Sequence, residues 1–370
     1  MTGTFDGNGE KAWFGSIPLT SRGRSNDAFV MHVKASGVIN WVVQAGAVAP
    51  GPAYSSTYVG GQGIAHDGAG GALVTGVFKG EAFFGSTYEW NGTHSYPVAG
   101  SRLNSHSQYD SDVFVMHVTA LGAVDWAVQA GGWGSTHGSN IAHDGVGGAF
   151  VTGDFMGGAS FGSTSLVNLG GSNAFVMHVT ASGVIDWAVR AGSSDAGAQA
   201  FGYEGSGRGI AYDGSGRGIA YDGTGGAFVT GHFRGEALFG STSFASRDSD
   251  DASSYAMHVT ASGVIDWALQ LGGAEDDVGL SIASDDAGGV LVTGYFTGEG
   301  TFGSKTLSNR GGHSACFVVS LVPTLRPPVP ALRLPPPALA VQAVSSGVSI
   351  LLVGAALAFA AAVLFALMFW

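Results

Sequence analysis

The chain repeats one pattern five times. Val-Thr-Gly-x-Phe occurs around Thr75, Thr152, Thr230 and Thr293, with a clipped copy around Thr2. A second pattern, Phe-Val-Met-His-Val or a close variant, starts at Phe29, Phe114, Phe175, Tyr255 and Phe317. Self-similarity of this kind means one supersecondary unit stacked on copies of itself, because such a unit cannot bury its apolar surface alone. Phe114 to Phe175 is 61 residues, Tyr255 to Phe317 is 62, and Thr230 to Thr293 is 63. Longer gaps carry polar insertions, roughly 89–110 in one unit and 193–209 in another. Surface loops tolerate such insertions at small entropic cost and often carry binding surfaces.

Within one unit the pattern is that of strands. Residues 141–144 read as a short strand, and Asp144-Gly145-Val146-Gly147-Gly148 as a tight turn, with glycines for positive φ and Asp to accept turn hydrogen bonds. Residues 149–152 give a second strand, Gly153 and Gly157 a bend or bulge, 174–179 a third strand, and 184–189 a fourth after the turn at 181–183. No stretch before Pro323 has capped helical periodicity. Four-stranded meanders at this period, each too small to cover its own faces, are expected to fan around an axis as a β-propeller. The expected fold is therefore all-β, with about five four-stranded blades over 1–322.

The strings IAYDGTGGAFVTGHF (219–233) and AFVMHVTASGVIDWAVRAG (174–192) resemble the bacterial β-propeller repeat family called SBBP. The resemblance covers about residues 1–322 and rests on two separated motifs that recur in order. It implies the propeller fold and an extracellular or surface setting, and says almost nothing about activity. One departure is that the family's Asn after the turn glycine is Gly here, at Gly71, Gly148, Gly226 and Gly289.

The first and last units are expected to be incomplete. Met1-Thr2-Gly3-Thr4-Phe5 aligns with the second strand of a unit, and no Trp-bearing strand follows Phe317-Val318-Val319-Ser320-Leu321. A start upstream of Met1 is favoured over imperfect ring closure. A direct repeat, GSGRGIAYD at 205–213 and again at 214–222, poses a register choice. The second copy runs into the turn and the Val-Thr-Gly strand, so it is assigned to the blade.

Composition bounds the partners. Net charge is −12, and all 27 acidic residues precede the proline-rich stretch. That argues against nucleic acid as a partner, whose phosphates need clustered basic charge. Charged residues are only 11% and hydrophobic ones 45%, which suits a packed β protein despite 63 glycines. The single cysteine, Cys316, excludes an internal disulfide and is expected to be a buried inert thiol in an apolar strand.

The tail changes character. Residues 323–337 hold seven prolines and read as a semi-rigid polyproline spacer. Residues 348–370 form an uncharged stretch of 23 residues, long enough as a helix to cross a hydrocarbon core of about 30 Å. A single transmembrane helix within 338–370 is expected. A glycolipid-anchor signal cut near Ser345-Ser346-Gly347 is the alternative. Arg326 and Arg333 argue weakly for a cytoplasmic propeller, while the sequon Asn91-Gly92-Thr93 and the family resemblance argue for an extracellular or lumenal one, which is chosen.

Four candidate chemistries stand out. His32, His117, His178 and His258 recur at one position; the resembled family usually has Lys there, which implies a solvent-facing role rather than metal binding. The turn acids Asp67, Asp144, Asp222 and Asp285-Asp286 offer one or two carboxylates each, too few for calcium, and read as turn formers. The clusters Asp248, Asp250, Asp251 and Glu275, Asp276, Asp277 are the better calcium candidates, although no cofactor is expected. Trp41, Trp126, Trp187 and Trp267 recur and are expected to fill the space between blades rather than stack on sugar. No G-x-S-x-G, H-E-x-x-H or P-loop motif occurs. The expected function is a monomeric, membrane-tethered binding or scaffold module for a protein or glycan, without catalysis. The alternative is a carbohydrate-active or other hydrolytic enzyme on the same frame.

Overall fold

The computed structural model describes residues 1–6, 11–21, 26–47, 57–90, 95–107, 109–168, 171–193, 214–247, 251–285, 289–309, 311 and 313–321. All of them belong to one compact unit, Met1–Pro323. The proline-rich spacer, the apolar tail, the sequon, Asp248, Asp250, Asp286 and the first copy of the direct repeat lie outside the described residues. Among the described residues no helix is long and apolar enough to cross a membrane.

The described chain is all-β, built of antiparallel sheets in sequence order. Sheet two runs Tyr58–His66, Ala72–Lys79, Asp112–Val118, Val124–Trp133. Sheet three runs Thr136–His143, Ala149–Phe155, Asn173–Val179, Ile185–Ser193. Sheet four runs Gly214–Tyr221, Ala227–Phe233, Ser253–Val259, Ile265–Gly273. Sheet one has only Thr2–Phe5, Asp27–Val33 and Ile39–Ala47, the equivalents of second to fourth strands. Sheet five has Asp277–Ser284, Val290–Phe296 and Ala315–Leu321, the equivalents of first to third. Strand Gly214–Tyr221 takes the second copy of the direct repeat, as the turn that follows it requires.

Each unit holds more than the expected four strands. Between the second and third strands lies a hairpin such as Gly158–Phe161 with Thr164–Val167. It pairs not with its own sheet but with the fourth strand of the preceding one, Gly131 facing Ser160 and Gly132 facing Ala159. Its Phe161 turns back and sets its ring 4.8 Å from Phe175 of its own third strand. Phe84 on Phe114, Phe239 on Tyr255 and Phe302 on Phe317 do the same. The hairpin thus ties neighbouring sheets by hydrogen bonds on one side and aromatic burial on the other. Sequence pattern reads these four-residue strands as a bend because each alternates over too few residues to stand out. The stretch read as a polar insertion at 89–110 is in part the same hairpin grown longer, Glu81–Trp90 with Ser95–Asn104. The hairpin Lys11–Phe14 with Ile17–Thr20 forms a sheet of its own.

The Val-Thr-Gly motif builds the contact between sheets. In each first strand of sheets two to five the register slips by one residue, at Gly61/Gly63, Gly138/Asn140, Gly216/Gly218 and Gly279/Ser281. Such a bulge bends the strand and brings its backbone close to its partner. A Cβ at Gly153 would collide with the His137 carbonyl oxygen, and one at Gly231 with that of Ser215, so the motif's glycine is a steric requirement. The motif's threonine donates its hydroxyl to the third strand, as Thr152 does to the Phe175 carbonyl at 2.9 Å. On its other side that hydroxyl fills the space a Cβ at Gly216 of the next sheet would take. Thr75 with Gly138 and Thr230 with Gly279 repeat the fit.

Four buried clusters result, each between consecutive sheets. Alternation divides each third strand. Phe114, Met116 and Val118 face sheet one, whereas Val113 and Val115 face sheet three. Sheet five lacks a neighbour among the described residues on its outer side, where Leu291 is 43% and Val318 72% exposed. Cys316 lies on that side and is exposed, which corrects the expected buried thiol. Its counterpart Val113 is buried only because another sheet covers it.

Candidate functional site

The two ends of the sheets differ. One end carries the turns between first and second and between third and fourth strands. There Asp67 Oδ1 accepts the N–H groups of Ala69 and Gly71 at 2.8 Å, and Asp144 does the same for Val146 and Gly148. Asp222 serves Thr224 and Gly226, and Asp285 serves Gly289. These are Asp-stabilised turns. The second carboxylate oxygen reaches the recurring histidine. His117 Nε2 lies 2.9 Å from Asp67 and its Nδ1 2.8 Å from Asp125. His178 bridges Asp144 and Asp186, and His258 bridges Asp222 and Asp266, at 2.7–3.0 Å. The imidazoles are 14–18% exposed, so they are not the solvent-facing residues expected. Sequence misses this because the three partners sit in one turn and on two different strands.

The electrostatics follow from the geometry. Burial pushes the Asp67 carboxyl up, but the His117 hydrogen bond and the N–H groups of Ala69 and Gly71 outweigh it and hold it below its ordinary value. Burial likewise lowers His117, yet its two carboxylate partners win and raise it. Each bridge explains a local sequence choice. A Cβ at Gly148 would strike both the Asp144 carboxylate and the Val179 carbonyl, so glycine is a steric requirement there. With both ring nitrogens held by carboxylates, these histidines clamp a turn to two strands.

The recurring tryptophans are a second clamp. Trp126 Nε1 donates to the Ala181 carbonyl at 3.1 Å, reaching the turn of the next sheet, and Trp41 and Trp187 reach Ala120 and Ala261 alike. Each ring lies across the turn glycine, so a Cβ at Gly183, which has φ +79°, would lie 2.9 Å from the Trp126 ring. The rings are half-buried against the clusters between sheets.

The other end carries the connections that vary from sheet to sheet. Of the calcium candidates described here, Asp276 Oδ1 accepts the Ala252 N–H at 2.8 Å and lies 3.6 Å from Arg234. Asp277 is fully buried and its Oδ2 accepts the Gly273 N–H at 2.6 Å. Burial, then Asp276, Glu275 and Asp251, push its carboxyl up to about 7. Among the described residues no three His, Cys, Asp or Glu side chains converge to hold a metal ion.

Between sheets two and three this end carries a constellation absent from the other junctions. Ser111, just ahead of the third strand of sheet two, has its Oγ 2.9 Å from His137 Nε2. His137 Nδ1 lies 3.3 Å from Asp154 Oδ2. His137 and Asp154 face each other across paired strands, so their spacing is set by strand register. Ser172 donates its hydroxyl to the same Asp154 oxygen at 3.1 Å. Ser111 is anchored by its backbone, its carbonyl accepting the Thr136 N–H at 2.7 Å. Neighbouring in sequence are three exposed apolar residues: Trp133 (82%), Tyr109 (76%) and Met156 (44%).

Register alignment gives the counterparts of Ser111, His137 and Asp154 at the other junctions. They are Asn26, Gly60 and Val77, then Ser172, Ser215 and His232, then Ala252, Val278 and Tyr295. Met156 stands where other sheets place Lys79, Arg234 and Thr297. Reading the repeats for what they share passed over all six residues. The available signal was the reverse, the positions at which one repeat departs from its copies. No family model matches the chain, and no curated protein matches it at a significant level.

Proposed function

We propose that the chain is a β-propeller-type array of the SBBP kind that serves as a binding or scaffold module, its ligand a glycan or protein seated on the loop end of sheets two and three. The single observation that carries this reading is the exposed trio Trp133, Tyr109 and Met156, 82%, 76% and 44% exposed, beside one junction of the frame. Exposed aromatic rings on rigid strands offer large contact area at low entropic cost. The fan-like arrangement is supported by first strands that meet backbone to backbone, a Cβ at Gly63 lying 2.9 Å from the Asn140 Cα. In this reading residues 348–370 hold the module at a membrane as a single helix, with the propeller outside.

A glycan array probed with the full chain in detergent tests the binding. Trp133→Ala is expected to weaken any hit by at least about 10-fold. Equal binding by that variant, or a ligand footprint confined to the Asp–His–Asp turn end, would end the proposal. Resistance of the chain to alkaline extraction from membranes tests the tether.

A further inference from the structure

We infer that Ser111 is a nucleophile for acyl transfer, with His137 as its general base and Asp154 as the group that orients the imidazole, and that this site hydrolyses carboxylic esters. The inference goes beyond the binding reading and stands without it. A nucleophile, a base within hydrogen-bond reach and a third group orienting the base make up the arrangement that activates a serine hydroxyl. All three are present here.

The Asp154 carboxylate beside Nδ1 selects the tautomer with the proton on that nitrogen. The Nε2 lone pair then faces the Ser111 hydroxyl at 2.9 Å and can take its proton. Ser172 fixes the carboxylate in turn. Strands hold His137 and Asp154, giving the base a rigid platform. The contrast with His117, His178 and His258 is chemical. Those rings meet carboxylates at both nitrogens and have no hydroxyl to activate. His137 meets one carboxylate and one hydroxyl; its side chain is 39% exposed while Ser111 is 2% exposed, so a substrate carbonyl must reach the hydroxyl past the imidazole edge. The frame does not require these residues, since Gly60 with Val77 and Val278 with Tyr295 build the same junction elsewhere. Trp133, Tyr109 and Met156 offer apolar surface to the acyl or alcohol part of an ester.

The reaction balances with water as the only co-reactant. Ser111 Oγ bonds to the ester carbonyl carbon while its proton moves to His137 Nε2. The carbon–oxygen bond to the alcohol then breaks, and the alcohol departs with that proton. Water attacks the acyl-serine, passing a proton to Nε2. Release of the carboxylic acid returns that proton to Ser111.

The test uses the full chain in detergent micelles with a fluorophosphonate probe, whose phosphorus bonds to the serine oxygen as fluoride leaves. Peptide mass spectrometry is expected to place the label on Ser111, and Ser111→Ala to remove it. His137→Gln is expected to slow labelling by about 100-fold or more, the usual contribution of a general base, with unchanged circular dichroism and melting. Turnover of p-nitrophenyl acetate should follow the same variants. No label on Ser111 in the folded chain, or a labelling rate indifferent to His137→Gln, would overturn the assignment of a nucleophile. Labelling without ester turnover would overturn hydrolysis. Trp133→Ala should leave Ser111 labelled, which separates this result from failure of the binding proposal.

Discussion

His178 and His137 stand in the same sheet, about one strand length apart, and do different things. His178 is pinned between Asp144 and Asp186, and the arrangement recurs at His117 and His258. His137 lies between a serine and an aspartate, once, where other sheets place Gly60, Ser215 or Val278. The difference teaches how a repeat protein divides its labour. Side chains that recur from sheet to sheet hold the frame together, so changing them costs stability. Those that appear at one junction are free of that duty, and changing them should cost chemistry or binding while the fold persists.

The division can be broken most violently at the frame glycines. Gly153→Val forces a side chain into the His137 carbonyl, and chemical denaturation should show a loss of roughly 4 kcal/mol or no folded protein at all. A stable variant would mean that the first and second strands of sheet three do not approach as described. Next in size is the tryptophan pair. Trp126→Ala removes a half-buried ring and its bond to Ala181, for about 2–3 kcal/mol, whereas Trp133→Ala should change stability by less than about 0.5 kcal/mol. The histidine pair sharpens the point. His178→Ala takes the imidazole from Oδ2 of buried Asp144 and should cost about 1–3 kcal/mol, against near neutrality for His137→Ala. Equal losses at 178 and 137 would erase the distinction.

The smallest effect is a pH slope at two buried groups of the loop end. Asp277 titrates near 7 in the fold against an ordinary 3.8, so the fold favours its protonated form. Its contribution is most favourable below about pH 4 and is lost as pH climbs toward 7. Burial, with Arg217 and Arg234 nearby, lowers His232 from 6.5 to about 4, so the fold resists its protonation. Stability from that group declines as pH falls from 6.5 toward 4. The two slopes oppose each other over this range, so urea midpoints should rise with pH in Asp277→Asn, where only His232 acts, and fall with pH in His232→Asn, where only Asp277 acts. Unchanged curves would show that neither group is buried as found.

Much of the frame is legible in the residues. Ile-Ala-x-Asp, the glycine turn and Val-Thr-Gly name the first hairpin of each unit, and Asp67, Asp144 and Asp222 form the turns expected of them. Choosing 214–222 over 205–213 for the strand of sheet four was decidable because only the second copy leads into the turn. The inserted hairpins were not legible. Strands of four residues alternate too briefly to register, and their partners lie in the neighbouring sheet. Cys316 misled because an apolar strand predicts burial only when something covers it. The candidate site was invisible for a related reason, since Ser111, His137 and Asp154 come from two repeats.

By itself the sequence determined the local pieces: which segments extend, where glycine and aspartate turn the chain, and that the pieces repeat. Alternation and turn chemistry act over a few residues, so they can be read along the chain. The tertiary structure alone decided that a hairpin joins the preceding sheet, that His117, His178 and His258 are each shared by two carboxylates, and that Ser111 meets His137. Those contacts depend on the bulge and on the sheet-to-sheet spacing set by Gly138, Gly216 and Gly279, distances that arise only once neighbouring sheets pack.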